Sequence, residues 1–398
     1  MERITNIDYE VIKYNKDLGN NRLELNIKGK NINYIIINTI RRTILTNIPI
    51  YTFNEFNFTI NESIFNNNYI KLRLRNLPVW GIANTIDKFI DNKNINNNLD
   101  NNNLGDTRNN NSGDDINLNI DDELDLENKN NIDINTSSLK QLTMYINYKN
   151  TDKSIMTVTT DNAKFYYSDK NIKSPYPIPI PIIKLQKNQA INFSSITVLG
   201  TEKEDSIFSA VSVCYYNEIN ENEFIFMLES RGQLSEQRII EVALINIINS
   251  IENLAKIVTY EQVTHIGEII INGENNTMGN LLSYGMQNHK NVKFAGYNIP
   301  HLLENKVIIH YELINENIKL KDVFDDVSIY FIELFNNLIK NNLNIDKKAQ
   351  DVEKKTKTKT HDGEKKTTEI KKKTPDVEKK IKEINKKTSV EKKVSKNI

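Results

Sequence analysis

Histidines, carboxylates and one cysteine are the side chains of this sequence that could perform chemistry, and their spacing forms no catalytic motif. His289, His301 and His310 could gather around a metal, but their spacing matches no ligand pattern. The sequence also has no phosphate-binding glycine loop, no His-Glu-x-x-His and no Asp-rich magnesium motif. We therefore expect no catalytic residue, no cofactor and no metal site, and a role other than that of an independent enzyme.

The single cysteine, Cys214, lies in an apolar strand predicted at residues 210–216, and we expect it to pack as a small hydrophobic side chain. One cysteine excludes an internal disulfide and any zinc or iron–sulfur site built from cysteines, and it suits a reducing compartment. The first residues lack the apolar core of a secretory signal, and no apolar stretch reaches 18 residues. We expect an intracellular protein that does not enter a membrane.

Charge is balanced over the whole chain but unevenly distributed along it. The 398 residues carry 52 basic and 52 acidic side chains. Residues 91–135 contain 11 acidic against 3 basic residues and 17 Asn, which is typical of a disordered insertion. Residues 351–398 contain 17 Lys against 9 acidic residues, which predicts a disordered basic tail beginning near 346. The remaining body is neutral, which argues against a protein that clamps DNA by charge alone.

The elements that must position any site follow a pattern that occurs twice, and the first copy is the longer. Residues 22–27 alternate polar and apolar side chains, which predicts a half-buried strand. Residues 32–45 follow with isoleucines four positions apart, which predicts a helix covered on more than one side. Residues 234–258 then form a long amphipathic pattern, with Ser235 as a plausible N-cap.

The second copy is compact. Residues 265–271 predict a strand, and Asn275 precedes a helix over 277–289 whose apolar residues fall on one face. Two further strands are predicted at 292–297 and 306–313, followed by an amphipathic helix over 319–343. Each copy therefore contains a strand, a helix, further strands and a long helix.

About 150 residues interrupt the first copy between its two helices, and their patterns predict a β-rich insert. Strands are predicted at 53–60, 142–148, 154–159 and 192–198, and Tyr69–Leu74 also has strand-like composition. The prolines of 175–181 remove alternate backbone donors, so this stretch must be an edge strand or polyproline II. Trp80, next to Pro78, is expected to be a packing anchor.

Several blocks of sequence resemble the RNA polymerase α-like family, which comprises bacterial α, the archaeal D subunit and the third-largest eukaryotic subunit. The second copy is similar to the smaller partner, the eleventh subunit of eukaryotic polymerase II or archaeal L. The resemblance lies in these blocks, which occur in the family's order: NTIRRTILTNIPIYTF (38–53), ESIFNNNYIKLRLRNLPV (62–79), 182–216, FIFMLESRGQLSEQRIIEVAL (224–244) and 273–311.

The resemblance implies an α+β fold in which both partners of a heterodimer lie on one polypeptide. Two dimerisation modules would pair about a pseudo-twofold axis through helices 32–45, 234–258, 277–289 and 319–343. The implied domains are 1–49 with 204–258 for the first module, 50–203 for the insert with its loop at about 91–138, 259–345 for the second module and 346–398 for the tail. The expected module interface consists of these apolar residues: Ile36, Ile40, Ile44, Ile247, Ile251, Met278, Leu281, Leu282, Phe294, Tyr297, Phe331 and Leu334.

The function that the resemblance implies is that of a non-catalytic assembly platform in a multisubunit DNA-directed RNA polymerase. The expected partners are the two largest subunits, docking at Asn38, Arg41 and Arg42, and small polymerase subunits, with DNA met only indirectly. Such fusions resemble polymerases of large cytoplasmic DNA viruses, which implies the host cytoplasm and virion, or the nucleus for a cellular protein. The alternative is a nucleic-acid-binding accessory protein that acts through the lysine-rich tail.

The sequence departs from the family in two places. Many relatives carry a cysteine cluster that binds zinc or an iron–sulfur centre in the insert, and this region has no cysteine. Where relatives often have Gly-x-Glu-His-Ala, this chain has Glu204-Asp205-Ser206, so a contact made by that histidine is not expected here.

Overall fold

The structure is a computed structural model, and it describes residues 4, 7–17, 20–80, 141–167, 170–257, 265–301 and 306–342. The acidic insertion predicted at 91–135 and the basic tail predicted from 346 lie outside the described residues. Helices and antiparallel strands share one continuous hydrophobic core, which runs through both copies of the repeated pattern and through the insert.

The first module is a four-stranded sheet with two helices. Its strands are β1 (Asp8–Asp17), β2 (Asn20–Lys28), β10 (Val211–Asn220) and β11 (Glu223–Ser230), in the order β1-β2-β11-β10. Helix α1 (Tyr34–Thr46) follows β2, and helix α3 (Glu236–Ile257) follows β11. The sequence pattern predicted β2, β10 and both helices, but it predicted neither β1 nor β11.

Capping side chains define where these helices begin. The Asn33 side chain accepts hydrogen bonds from the backbone N–H groups of Ile35 and Ile36 at 2.9 and 3.1 Å. The Ser235 hydroxyl accepts from the N–H of Arg238 at 3.3 Å, which confirms this residue as the N-cap of α3. In α1 these bonds satisfy donors of the first turn, so a segment rich in β-branched residues still forms a helix.

The second module repeats the plan with three strands. It contains β12 (Ile266–Asn272), α4 (Asn276–Gln287), β13 (Val292–Asn298), β14 (Lys306–Leu313) and α5 (Leu320–Asn342). The sheet order is β12-β14-β13, all antiparallel, which reproduces the order β2-β11-β10 of the first module. All five elements were predicted from the sequence within two residues at each boundary.

The insert is built around a five-stranded antiparallel sheet with the order β3-β9-β4-β6-β7, beside a two-stranded sheet of β5 and β8. Two short 3₁₀ helices lie at Thr160–Asn162 and Ser206–Phe208. Three of the prolines of 175–181 precede β8, and the fourth, Pro181, is its first residue; β8 pairs only with β5 among the described strands. The strands are β3 (Ile50–Asn61), β4 (Leu142–Lys149), β5 (Met156–Thr159), β6 (Ala163–Tyr167), β7 (Lys170–Ile172), β8 (Pro181–Leu185) and β9 (Ala190–Gly200).

The strand predicted at Tyr69–Leu74 is wrong, because these residues belong to helix α2 (Asn67–Arg75). The Asn66 side chain caps the helix by accepting from the Tyr69 N–H at 2.9 Å. Ile70 and Leu74, four residues apart, are both buried against β3 and β8, which is a helical period. Sequence composition missed the capping asparagine, which lies within a run of three asparagines.

Candidate functional site

The four long helices of the two modules meet in one layer, here called the four-helix seam and defined as α1, α3, α4 and α5. Helix α1 packs against α3 of its own module and α4 of the other, and α5 packs against α4 of its own module and α3 of the other. Between modules, the seam joins α1 to α4, which are more than 200 residues apart in the chain, and α3 to α5, which are about 100 residues apart. It is the surface on which any partnership between the modules depends.

The predicted interface residues on these helices point into apolar surroundings. Ile44, Ile251, Leu281, Phe331 and Leu334 have no measurable exposure. The other predicted helix residues are also buried: Ile36, Ile40, Ile247, Met278 and Leu282. Burial of this kind stabilises by about 1.5–3 kcal/mol for each large apolar side chain, so the seam is a principal source of cohesion.

The two predicted interface residues on strand β13 lie elsewhere. Phe294 is 52% exposed on the outer face of the second sheet, with its ring over Gly296. A β-bulge between Val292 and Phe294 reverses the alternation, so Phe294 points away from the helices although Val292 points toward them. Tyr297 points inward, but its ring packs against Gly279 within the second module. The contacts described for both residues therefore lie within the second module.

Of the three predicted docking residues, Arg42 is engaged within the chain. Its Nε donates a hydrogen bond of 2.7 Å to the hydroxyl of Thr277, at the start of α4. The partner of this arginine across the module pair is therefore a hydroxyl group. At the other end of the same helix pair, the Asn33 side chain hydrogen-bonds Tyr284, which opposes the rise that burial causes in the pKa of this tyrosine. Helices α1 and α4 therefore run antiparallel.

Arg41 and Asn38 form a local pair on α1. The Nε and Nη2 atoms of Arg41 both donate to the Asn38 side-chain oxygen, at 3.0 and 2.9 Å. The charge of Arg41 also acts on the buried Cys214 of β10, where burial raises the thiol pKa to about 12 and Arg41 opposes the rise. Cys214 therefore stays a protonated thiol and packs as a small apolar residue, as predicted.

A reciprocal amide pair connects α3 to α5. Gln237 Nε2 donates to the carbonyl oxygen of Asn342 at 3.1 Å, and Asn342 Nδ2 donates to the carbonyl oxygen of Gln237 at 2.9 Å. Because Gln237 is at the start of α3 and Asn342 at the end of α5, these helices also run antiparallel. Asn31 adds another bond between modules, donating to the Tyr330 hydroxyl at 3.2 Å.

One partly buried carboxyl lies where the modules meet. Burial raises the pKa of Glu274, which directly precedes the capping Asn275 of α4. The nearby Lys203, the last residue of the insert before the first module resumes, opposes that rise. The backbone N–H of Lys203 also donates to Thr46, so this lysine is held next to the end of α1.

Sequence reasoning missed the polar residues of the seam. Thr277, Gln237, Asn342, Asn31 and Tyr330 carry no motif, and their partners are 105 to 299 residues away. A polar residue near a helix end was the only signal available, and such a residue usually faces solvent. Only knowledge of how the two modules pair could have suggested which of these polar residues contact each other.

The described residues contain no group of three histidine, cysteine or carboxylate side chains able to hold a metal ion. His289 instead bonds Asp326 at 3.2 Å, and His310 pairs with Glu268 at 3.1 Å. No helix in the described ranges is long and apolar enough to cross a membrane. The contacts described above form a packing surface between helices, held by buried apolar side chains and a few hydrogen bonds.

Two comparisons with known proteins agree with this geometry. Residues 267–341, which begin in β12 and end in α5, match the model of the RNA polymerase Rpb3/Rpb11 dimerisation domain. A relative from Acanthamoeba polyphaga mimivirus, by name a DNA directed RNA polymerase subunit, is 25% identical over 330 residues. The match covers 79% of this chain and 89% of the relative, so it includes both modules. The motifs, the domain match and the viral relative together confirm that this chain resembles the RNA polymerase α-like family, as a fusion of third-largest-subunit-like and eleventh-subunit-like parts.

Proposed function

We propose that this chain is a non-catalytic assembly platform of a multisubunit DNA-directed RNA polymerase, whose two modules pair about a pseudo-twofold axis. The observation that carries the proposal is the four-helix seam between the two modules. The second module is similar to the Rpb3/Rpb11 dimerisation domain, and the first module has the same strand order. The name of the mimivirus relative places that protein in an RNA polymerase. A viral polymerase would act in the host cytoplasm and be carried in the virion.

Equivalent positions make equivalent contacts, which supports the pseudo-twofold relation. Both α1 and α4 begin at a capping asparagine, Asn33 and Asn275. Arg42 and Tyr284 each lie nine positions after that cap, and each contacts the first turn or the cap of the opposite helix. A twofold axis perpendicular to the helices would exchange α1 with α4 and α3 with α5, and the helices of each exchanged pair would then run antiparallel. Both pairs do so.

The platform would present surfaces outside the seam to the two large catalytic subunits, and small subunits would complete the assembly. Asn38 and Arg41 are the residues of α1 that we propose for docking, because their pairing is local and the guanidinium keeps donors for a further acceptor. Arg42 contributes mainly to the seam. Within this proposal the large subunits supply the active site for nucleotidyl transfer, and DNA is contacted through the complex.

Co-expression with the two large polymerase chains of the same source tests the proposal. We expect the unaltered chain to co-purify with both in equal amounts. Leu281→Asp places a carboxylate in the seam, where the side chain is fully buried, and should abolish that recovery. Ile155→Asp is the matched control, because Ile155 is 63% exposed in the insert, and this variant should assemble normally. Recovery of the large chains with Leu281→Asp, or no recovery with the unaltered chain, would overturn the platform.

The lysine-rich segment gives a competing function that can be measured separately. The affinity of the whole chain for duplex DNA is determined against salt, with and without residues 346–398. Since phosphate contacts release counterions, binding through lysines should show a steep salt slope that disappears with the truncation. Under the platform proposal, truncation leaves co-purification with the large subunits unchanged.

A further inference from the structure

Helix α2 of the insert carries a partly exposed stripe that is both apolar and basic, here called the α2 stripe and defined by Tyr69, Leu72, Lys71, Arg73 and Arg75. The buried side of this helix, Ile70 and Leu74, already anchors it to β3 and β8. Tyr69 and Leu72 lie on the exposed side of the helix, whereas Lys71 and Arg75 are partly buried at its flanks and Arg73 bonds β8 of the insert.

The apolar part of the stripe is unusually exposed for side chains of this size. Leu72 is 60% exposed and Tyr69 is 41% exposed. Tyr69 stacks on Phe65 with ring centroids 4.4 Å apart, and Ile64, 69% exposed, adjoins that pair in sequence. Isolated exposed residues are ordinary, but a contiguous group on one helix face is typical of an interaction site.

The charged part of the stripe has one sign. Residues 63–80 contain three cationic side chains and no carboxylate. In the part of the chain that the structure describes, no carboxylate lies within ion-pair distance of Lys71, Arg73 or Arg75. Arg73 donates to the carbonyl oxygen of Pro181 at 3.1 Å, and the Nε of Arg75 is buried without a hydrogen-bond partner. An acidic partner would satisfy this unbalanced charge.

The form of the stripe favours a protein segment over nucleic acid. Three cations neutralise at most about three phosphates, which gives weak binding at physiological salt. The two aromatic rings are stacked on each other, so one face of each is unavailable for a nucleobase. Exposed Leu72 and Ile64 would gain from apolar contact, which a phosphate backbone does not offer.

We propose that the α2 stripe is a docking site for an acidic, apolar segment of another protein chain in the polymerase. The inference rests on the proposed function in taking its partner from the assembled polymerase, and it deepens that function by adding a contact on the insert. In this arrangement Leu72 and Tyr69 contact apolar side chains of the segment. Lys71 and Arg75, one helical turn apart, pair with its carboxylates.

Site-specific photo-crosslinking in the assembled complex tests the proposal. Benzoylphenylalanine replaces Leu72 in the full chain, and the same amino acid at the exposed Ile155 is the control. After irradiation of the purified complex, mass spectrometry identifies the linked peptide. We expect a peptide of another polymerase chain with a net negative charge and apolar residues. The double variant Lys71→Glu and Arg75→Glu should lower its yield about tenfold.

Other outcomes decide against the proposal. A crosslink to nucleic acid, to residues 81–140 of the same chain, to a neutral or basic segment, or no more crosslinking than at Ile155 would overturn it. A second test adds salt to the complex that retains Lys71 and Arg75. The crosslinking yield should fall as salt screens the exposed charges. Co-purification of the large subunits is recorded in parallel. If the complex is intact but the crosslink is absent, the docking role of the α2 stripe is refuted and the platform proposal is not.

Discussion

The two modules share strand order and helix direction, but they fill the space between their helices in different ways. Helix α4 has Gly279 and Gly285 four and ten positions after its cap, where α1 has Ile37 and Thr43. A Cβ on Gly285 would lie 2.5 Å from the Phe331 ring of α5. In the second module a large aromatic ring therefore occupies the space that a side chain on the first helix would need. The two modules therefore share caps and strand order, but the space between the first and second helix is filled by different side chains in each module.

The residues that precede the two caps also differ. Ile32 precedes Asn33 and is fully buried in the first module, and Ile37, four positions after the cap, is fully buried as well. This is the arrangement of a hydrophobic staple. The second module has Glu274 and Gly279 at the same positions, and burial raises the pKa of Glu274. The first module therefore fixes its helix start by apolar contact, and the second places a titratable group there.

The largest effect that tests this comparison is expected from Phe331→Ala. Phe331 and Ile247 are each eleven positions after the first residue of α5 and α3, and both are buried. Phe331→Ala should lower the free energy of unfolding by about 3–5 kcal/mol, and by more than Ile247→Ala, because Gly285 has no side chain to fill the cavity. Urea denaturation followed by circular dichroism measures both. Equal losses in the two modules would contradict the different division of volume.

An intermediate effect is expected from adding one methyl group to the glycine. Gly285→Ala places a Cβ 2.5 to 2.6 Å from Phe331 and Val327, and overpacking of this kind costs about 1–3 kcal/mol. The same urea denaturation should show partial recovery in the double variant Gly285→Ala with Phe331→Leu, because the smaller side chain leaves room. Thr43→Ala, at the equivalent position of α1, is the control and should have the smaller effect. A stabilised Gly285→Ala variant would show that the helices are not in close contact.

A smaller effect is expected at the polar contact between the modules. Arg42→Ala removes the hydrogen bond to Thr277 and should cost about 1 kcal/mol. Arg41→Ala is the control, since its guanidinium bonds only Asn38 of the same helix among the contacts found. A double-mutant cycle with Thr277→Val isolates the pairwise contribution. If the two substitutions are additive, Arg42 does not connect the modules.

Much of this fold could be predicted because the repeated pattern is strong in both copies. The apolar spacing on α3, α4 and α5 matches a helical period, and β14 alternates along its whole length. Helix α2 was missed because composition favoured a strand and the cap at Asn66 is one asparagine among many. Strand β1 was missed because it is an edge strand with a bulge between Val11 and Lys13, so its alternation is broken.

The candidate site could be predicted only in its apolar part. Burial follows from periodicity, so residues such as Ile44 and Leu281 could be identified from one helix at a time. Phe294 was placed incorrectly, because a bulge reverses the alternation and no residue type marks its position. The bond from Arg42 to Thr277 depends on how two helices 235 residues apart are oriented, which periodicity does not contain.

The smallest effect concerns the pH dependence of Glu274, the charged counterpart of Ile32. Burial raises its pKa in the folded state above the ordinary value of 4.5, so the folded chain binds this proton more tightly than the unfolded chain. Its stabilising contribution is therefore complete below pH 4.5 and is lost as the pH rises through the folded pKa. Glu274→Gln does not titrate, so we expect the wild-type chain to lose stability relative to this variant as the pH rises.

Lys203 determines how far that loss extends. Its charge opposes the rise in the pKa of Glu274, so Lys203→Ala should move the loss to higher pH. Urea denaturation of the three proteins between about pH 4 and 8 measures the effect, and the comparison with Glu274→Gln removes contributions from other groups. A wild-type chain that gains stability relative to Glu274→Gln as the pH rises would show that Glu274 is stabilised as a carboxylate. The position before the cap would then carry a charge in the second module and none in the first, and burial of that charge would not destabilise the second module.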